Sequence, residues 1–222
     1  MKTLVVLLIV LISSCAEAQL KETRLPIPVF DSSCVWIPPG DFIKTMDKTC
    51  GELRAPAFQV CFIMLMKQMG ASPEALRFTA LTDTTGYVRH FINSGKVDIA
   101  FVYYPFRANV NLGVTLVNGD PAMIDVDDFQ YVDLTLLKKD STYLKIVGDY
   151  PDAAVWPGDR FHFDRPKLES LPGGGQRFIV RYNLQNGCHA CAHIGLVDFA
   201  FDFDRGGRFI GTSLVRVLPL VP

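Results

Sequence analysis

The chain has 222 residues, with 22 Lys and Arg set against 23 Asp and Glu, a formal net charge of −1. So even a balance argues against a general nucleic-acid binder held by phosphate contacts, which needs a surplus of cations. A chain of this length can bury a full hydrophobic core unaided, and a single globular domain over residues 19–222 is the expectation.

The first eighteen residues read as an export leader. Lys2 precedes the apolar run Leu4 to Ile12, and Ser13-Ser14-Cys15-Ala16-Glu17-Ala18 supplies small residues ending in an A-x-A cleavage pattern. A bilayer core about 30 Å thick takes about 20 apolar residues, far more than this run, and no later stretch is long enough, so no transmembrane span is expected. Ile12-Ser13-Ser14-Cys15 also has the form of a bacterial lipobox, in which the leader ends at residue 14 and Cys15 carries a lipid anchor. Under either reading the folded part is exported. It is periplasmic or secreted, free or membrane-anchored as a lipoprotein, where thiols tend to oxidise.

Residues 20 to 41 carry Pro26, Pro28, Pro38 and Pro39, which favour an extended arm. A helix is predicted from Pro56 to Met69, with proline in its first turn and Gly70 as its stop. Its residues are apolar nearly all round, the pattern of a buried helix. Ser72-Pro73-Glu74 starts a second helix. Tyr87, Val88, Phe91 and Ile92 suggest a third from about Thr85 to Asn93, ended by Gly95.

The period then changes to two. Val97, Ile99, Phe101 and Tyr103 fall on one strand face, and Asn118-Gly119 joins Val114–Val117 to Ala122–Val126 as a hairpin. Pro121 weakens the second strand or places it at an edge. Asp140 to Tyr150 reads as a short helix ended by Pro151. Further on, Phe178, Val180, Tyr182 and Leu184 alternate with Arg177, Ile179 and Arg181. Val197, Phe199, Phe201 and Phe203 alternate with Asp198, Ala200, Asp202 and Asp204. The turn Arg205-Gly206-Gly207 pairs Phe203 with Phe209 and Asp204 with Arg208, which sets Gly211, Ser213 and Val215 on the aromatic face. The fold class is therefore α+β: N-terminal helices packed on a mainly antiparallel sheet, with a C-terminal β-meander.

Asn186-Gly187-Cys188-His189-Ala190-Cys191-Ala192-His193 is the one dense constellation of reactive residues. A Cys188–Cys191 disulfide stapling the loop between two strands is the leading reading in an oxidising compartment. The pair could instead be redox-active, with His189 favouring the thiolate, although a strand follows Cys191 where such motifs usually open a helix. A third reading is zinc or copper held by Cys188, Cys191 and His193, with His189 poorly placed to join them. No cofactor is predicted, and zinc or copper enters only through that third reading. Cys34 and Cys50 enclose a loop suited to a second disulfide, and Cys61 reads as a core thiol.

Other chemistry is sparse. Tyr104, Phe106, Arg107 and Asn109 form an aromatic loop able to line a ligand pocket. Asp198, Asp202 and Asp204 read as a solvated sheet face on which Arg208 and Arg216 pair with the acids. No G-x-S-x-G or phosphate loop occurs, and the sequence names no catalytic residue. The expectation is an exported, non-catalytic cell-envelope or secreted binding or accessory protein, its partner an unknown ligand or envelope protein. The alternative is an extracytoplasmic thiol-redox or metal-handling protein using the Cys188–His193 loop.

Overall fold

The computed structural model describes residues 28–82, 86–107, 111–158 and 165–220. The leader, Cys15 and Asn109 lie outside the described residues, so the expectations placed on them are not addressed by the fold.

Two antiparallel sheets form the body. The first has the order β1 (Tyr87–Ile92), β2 (Asp98–Tyr103), β3 (Leu112–Val117) and β4 (Met123–Asp125). The second runs β5 (Ala153–Pro157), β7 (Gln176–Asn186), β8 (His193–Phe203) and β9 (Phe209–Pro219), with β6 (Lys167–Ser170) also paired to β7. Before the first sheet come α1 (Phe42–Cys50), α2 (Ala57–Gln68) and α3 (Pro73–Leu81); α4 (Ser141–Asp149) lies between the sheets in sequence. The α+β expectation therefore holds, as do the α3 and α4 starts, where Ser72 and Asp140 accept hydrogen bonds from first-turn amides.

The main core lies between the two sheets. Ile99, Phe101, Val114 and Leu116 of the first meet Phe178, Val180, Tyr182, Leu184, Val197, Phe199, Phe201 and Phe203 of the second, all essentially without exposure. The other face of the first sheet is covered too. Val88, Phe91, Ala100 and Val102 pack with Phe78 of α3 and Phe30 of the arm, while Trp36, Phe42, Met46, Phe62 and Tyr87 form an aromatic cluster with the helices. The layers run helices, first sheet, second sheet, and β2 is buried on both faces. The outer face of the second sheet, over β7 to β9, is thereby left as the charged one.

Three expectations are corrected. Residues 87–92 form β1, not a helix: a bulge between Val88 and His90 brings Val88 and Phe91, three apart, opposite Val102 and Ala100 on one face. That spacing imitates helical periodicity. The α2 helix is not buried all round, since Val60 and Met64 are exposed while Phe62, Leu65 and Met66 face the core. In the last hairpin Phe203 does pair with Phe209, but bulges at Asp202/Phe203 and Asp198/Phe199 shift β9 by one residue twice. Leu214 and Val217, not Ser213 and Val215, end up against the core. Gly211 carries the first shift at a φ of +147°, a backbone region that side chains disfavour.

Candidate functional site

Across the outer face of the second sheet, side chains from three strands stand in rows. Asp198 of β8 lies directly opposite Arg181 of β7 and Arg216 of β9. Arg181 grips it with Nε and Nη2, at 2.8 and 3.1 Å, and Arg216 Nε donates to its second oxygen at 2.7 Å. The Asp198 side chain is only 3% exposed, whereas both arginines remain about half exposed. Burial alone would raise the Asp198 carboxyl, but the hydrogen bonds from Arg181 and Arg216 outweigh it and hold the group below its ordinary value. The expected solvated face is thus corrected at this residue: two guanidinium groups roof a buried carboxylate.

A second row, near the β8–β9 turn, is Glu169–Arg177–Asp202. Arg177 makes a bidentate pair with Asp202, both bonds 2.7 Å, and Lys167 meets Glu169 at 2.7 Å. The expected pairing of Arg208 and Arg216 with these acids is present, Arg208 on Asp204 and Arg216 on Asp198.

These rows floor a groove of about 620 Å³. β5 and β6 pair with opposite halves of β7, and Gly158, which follows β5, and Arg165 and Pro166, which precede β6, border the groove. Among the described residues its lining carries Arg165, Lys167, Arg177, Arg181 and Arg216 together with Glu169 and Asp198, with Ile179 and Val215 as apolar surface. The volume suits a small molecule, for which pockets run from about 300 to 1,000 Å³. Sequence reading missed the groove because its members lie on four strands, and only cross-strand register joins them.

The Cys-His loop is the tip between β7 and β8. Cys188 and Cys191 are joined in a disulfide with Cα atoms 5.0 Å apart, closed by a Cys191 N–H donating to the Cys188 carbonyl at 2.9 Å. Both cysteines are exposed. His189 meets the Trp156 ring edge-on at 5.4 Å, and the indole N–H donates to the Gly187 carbonyl at 3.1 Å. His193 opens β8, paired with Gln185. Among the described residues, no three His, Cys, Asp or Glu side chains are grouped to hold a metal ion.

The second disulfide is not the expected one. Cys50 pairs with Cys61, linking α1 to α2 with Cα atoms 5.8 Å apart, and Cys34 is a free, fully buried thiol. Cys34 sits instead in the cluster of Phe30 and Phe78, where burial pushes its pKa up to about 12. Cys61 is therefore not the expected core thiol: α2 is exposed at Val60 and Met64, and Cys61 reaches α1.

The described members of the aromatic loop divide between two neighbourhoods. Tyr104 is buried with the Arg107 guanidinium 3.5 Å above its ring, and Arg107 pairs with Asp125 at 3.0 Å. Phe106 turns away to meet Phe58 of α2 edge-on at 4.9 Å.

No protein family matches the chain, and neither a curated protein nor a solved structure does. No helix among the described residues is long and apolar enough to cross a membrane.

Proposed function

We propose that the protein is an exported, non-catalytic binding protein, secreted or held at the cell envelope, whose ligand occupies the groove on the outer face of the second sheet. The observation that carries this reading is the buried Asp198 under Arg181 and Arg216, flooring a concave site of about 620 Å³. A plain solvated sheet face has no need to desolvate a carboxylate, whereas a binding site gains from guanidinium groups held in place beforehand. Export is supported by the leader-like N-terminus and by two disulfides, which suit an oxidising compartment.

Native mass spectrometry on protein recovered from its exported location tests the reading. A small molecule should be retained by the wild type and lost on Ile179→Trp, which fills the groove from an outward β7 position. Retention of the same adduct by Ile179→Trp would remove the groove as the site.

A second reading is favoured by one observation, the exposure of both Cys188 and Cys191 at a strand-joining tip. There an incoming thiolate can reach the disulfide, displace one cysteine as a thiolate and form a mixed disulfide with the other. Differential alkylation with peptide mapping decides it. A pair exchanged by mild thiol makes the tip functional, and a resistant pair makes it a staple.

A further inference from the structure

We propose that the Cys188–Cys191 disulfide exchanges with the dithiol of a partner, whose first thiolate attacks Cys191 Sγ while Cys188 Sγ leaves. The proposal rests on the exchange reading of this tip and goes further by assigning the order of attack and the chemical class of the partner.

The support of the turn is the first argument. A disulfide kept only as a staple joins parts that would otherwise separate. Here the joined parts are already held: the Asn186 N–H donates to the Ala192 carbonyl at 2.9 Å, and Gln185 pairs with His193 across the strands. From the side, the Trp156 indole N–H donates to the Gly187 carbonyl at 3.1 Å, and its ring meets His189 edge-on at 5.4 Å. None of these contacts passes through a sulfur, so the turn keeps its shape when the S–S bond opens. Two exposed thiols held in a fixed turn suit repeated breaking and closing of that bond.

The backbone is the second. The Cys191 N–H is engaged by the Cys188 carbonyl, but among the described residues the amides of His189 and Ala190 donate to no protein group. Both follow Cys188 directly, and in a turn a side-chain acceptor reaches the amide two residues on. A thiolate at Cys188 therefore has the Ala190 amide as a donor. Two residues past Cys191 the chain has already entered β8 at His193, and an extended chain does not fold its amide back onto the sulfur. Both sulfurs are exposed, so access does not choose between them. The better-stabilised thiolate leaves faster, which directs attack to Cys191 and release to Cys188.

The spacing sets the class of partner. A monothiol joined to Cys191 lies beside the Cys188 thiolate three residues away, which re-closes the ring and expels it. A dithiol escapes this: its second thiolate attacks its own sulfur in the mixed disulfide and releases Cys191 as a thiolate. The partner gives up two electrons and two protons and becomes a disulfide, and the tip takes up both as two thiols.

The test takes the exported protein, kept non-reduced, with 2-mercaptoethanol or dithiothreitol at equal thiol concentration, then acid quenching, alkylation and peptide mass mapping. Mercaptoethanol adducts should fall on Cys191 over Cys188 by about tenfold, the effect of one charge-assisted hydrogen bond to the leaving thiolate. Dithiothreitol should yield two free thiols at concentrations where mercaptoethanol leaves the tip mostly closed. A second measurement needs no trapped intermediate. At mildly acidic pH, iodoacetamide should modify Cys188 in Cys191→Ser faster than Cys191 in Cys188→Ser. Adducts shared equally or favouring Cys188, or equal alkylation rates in the two variants, would overturn the order of attack and leave the tip exchangeable. Opening as complete with mercaptoethanol as with dithiothreitol would overturn the dithiol assignment. A tip that resists both thiols would overturn this proposal and the exchange reading together.

Discussion

Asp198 is the residue on which the outer face depends. Its folded pKa is depressed, so the stabilisation it provides is complete above its ordinary value and lost as pH falls through the lower folded value. Wild-type melting temperature should therefore drop as pH falls below about 4, and Asp198→Asn should flatten that drop. At neutral pH Asp198→Asn removes the carboxylate charge that Arg181 and Arg216 share and should cost about 3 kcal/mol in denaturant unfolding. The desolvation of Asp198 was hidden in the sequence. Without the two bulges of β9 it would sit opposite Leu214, and only both shifts together bring Arg216 across from it. Cys34 gives a second check at this scale. Its thiol, buried and raised to about 12, should resist alkylation in the folded protein at pH 8 and react fully once unfolded.

Among the elements, the two disulfides differ in what they hold. Cys50–Cys61 spans eleven residues and ties α1 to α2, with Cys50 wholly buried. The double substitution Cys50→Ala/Cys61→Ala should cost about 3 kcal/mol by chain entropy, read as a lowered denaturant midpoint. Cys188–Cys191 spans three residues at an exposed tip, so reductant should open it first and lower the midpoint less. Legibility also divides by element. β7 and β8 could be read from sequence because one face is dry and the other wet, which imposes a clean period of two on Phe178–Leu184 and Val197–Phe203. β1 could not, because the bulge around Arg89 breaks that period. The path of the chain through α1 and α2 was only half visible: the α2 apolar pattern was plain, but nothing in it told that Val60 and Met64 face outward.

For the molecule as a whole, the space between the sheets carries most of the packing. Phe199, fully buried among residues of both sheets, should cost about 3 to 5 kcal/mol as Phe199→Ala, seen as one cooperative loss of near-UV signal. Gln176 also joins the sheets by polar bonds, accepting from the amides of Lys96 and Val97 and donating to the carbonyls of Ser94 and Val97. None of this was open to sequence reading, since alternation says which face of a strand is buried but not which sheet covers it. The α+β class, the meander and the position of the Cys-His tip were visible; the division into two sheets and the groove on the second were not.

The split of β7 between two short partners has a further consequence. On that side the described residues of the second sheet present two short strands, β5 and β6, five and four residues long, paired with opposite halves of β7. On the opposite side β9 is longer but twice bulged, with Arg216 on it and Arg208 just before it. Among the described residues neither border offers the long, flat, unpaired backbone on which another chain could add a strand. The irregularities that shape the groove thus also blunt the sheet against strand-by-strand growth into fibrils.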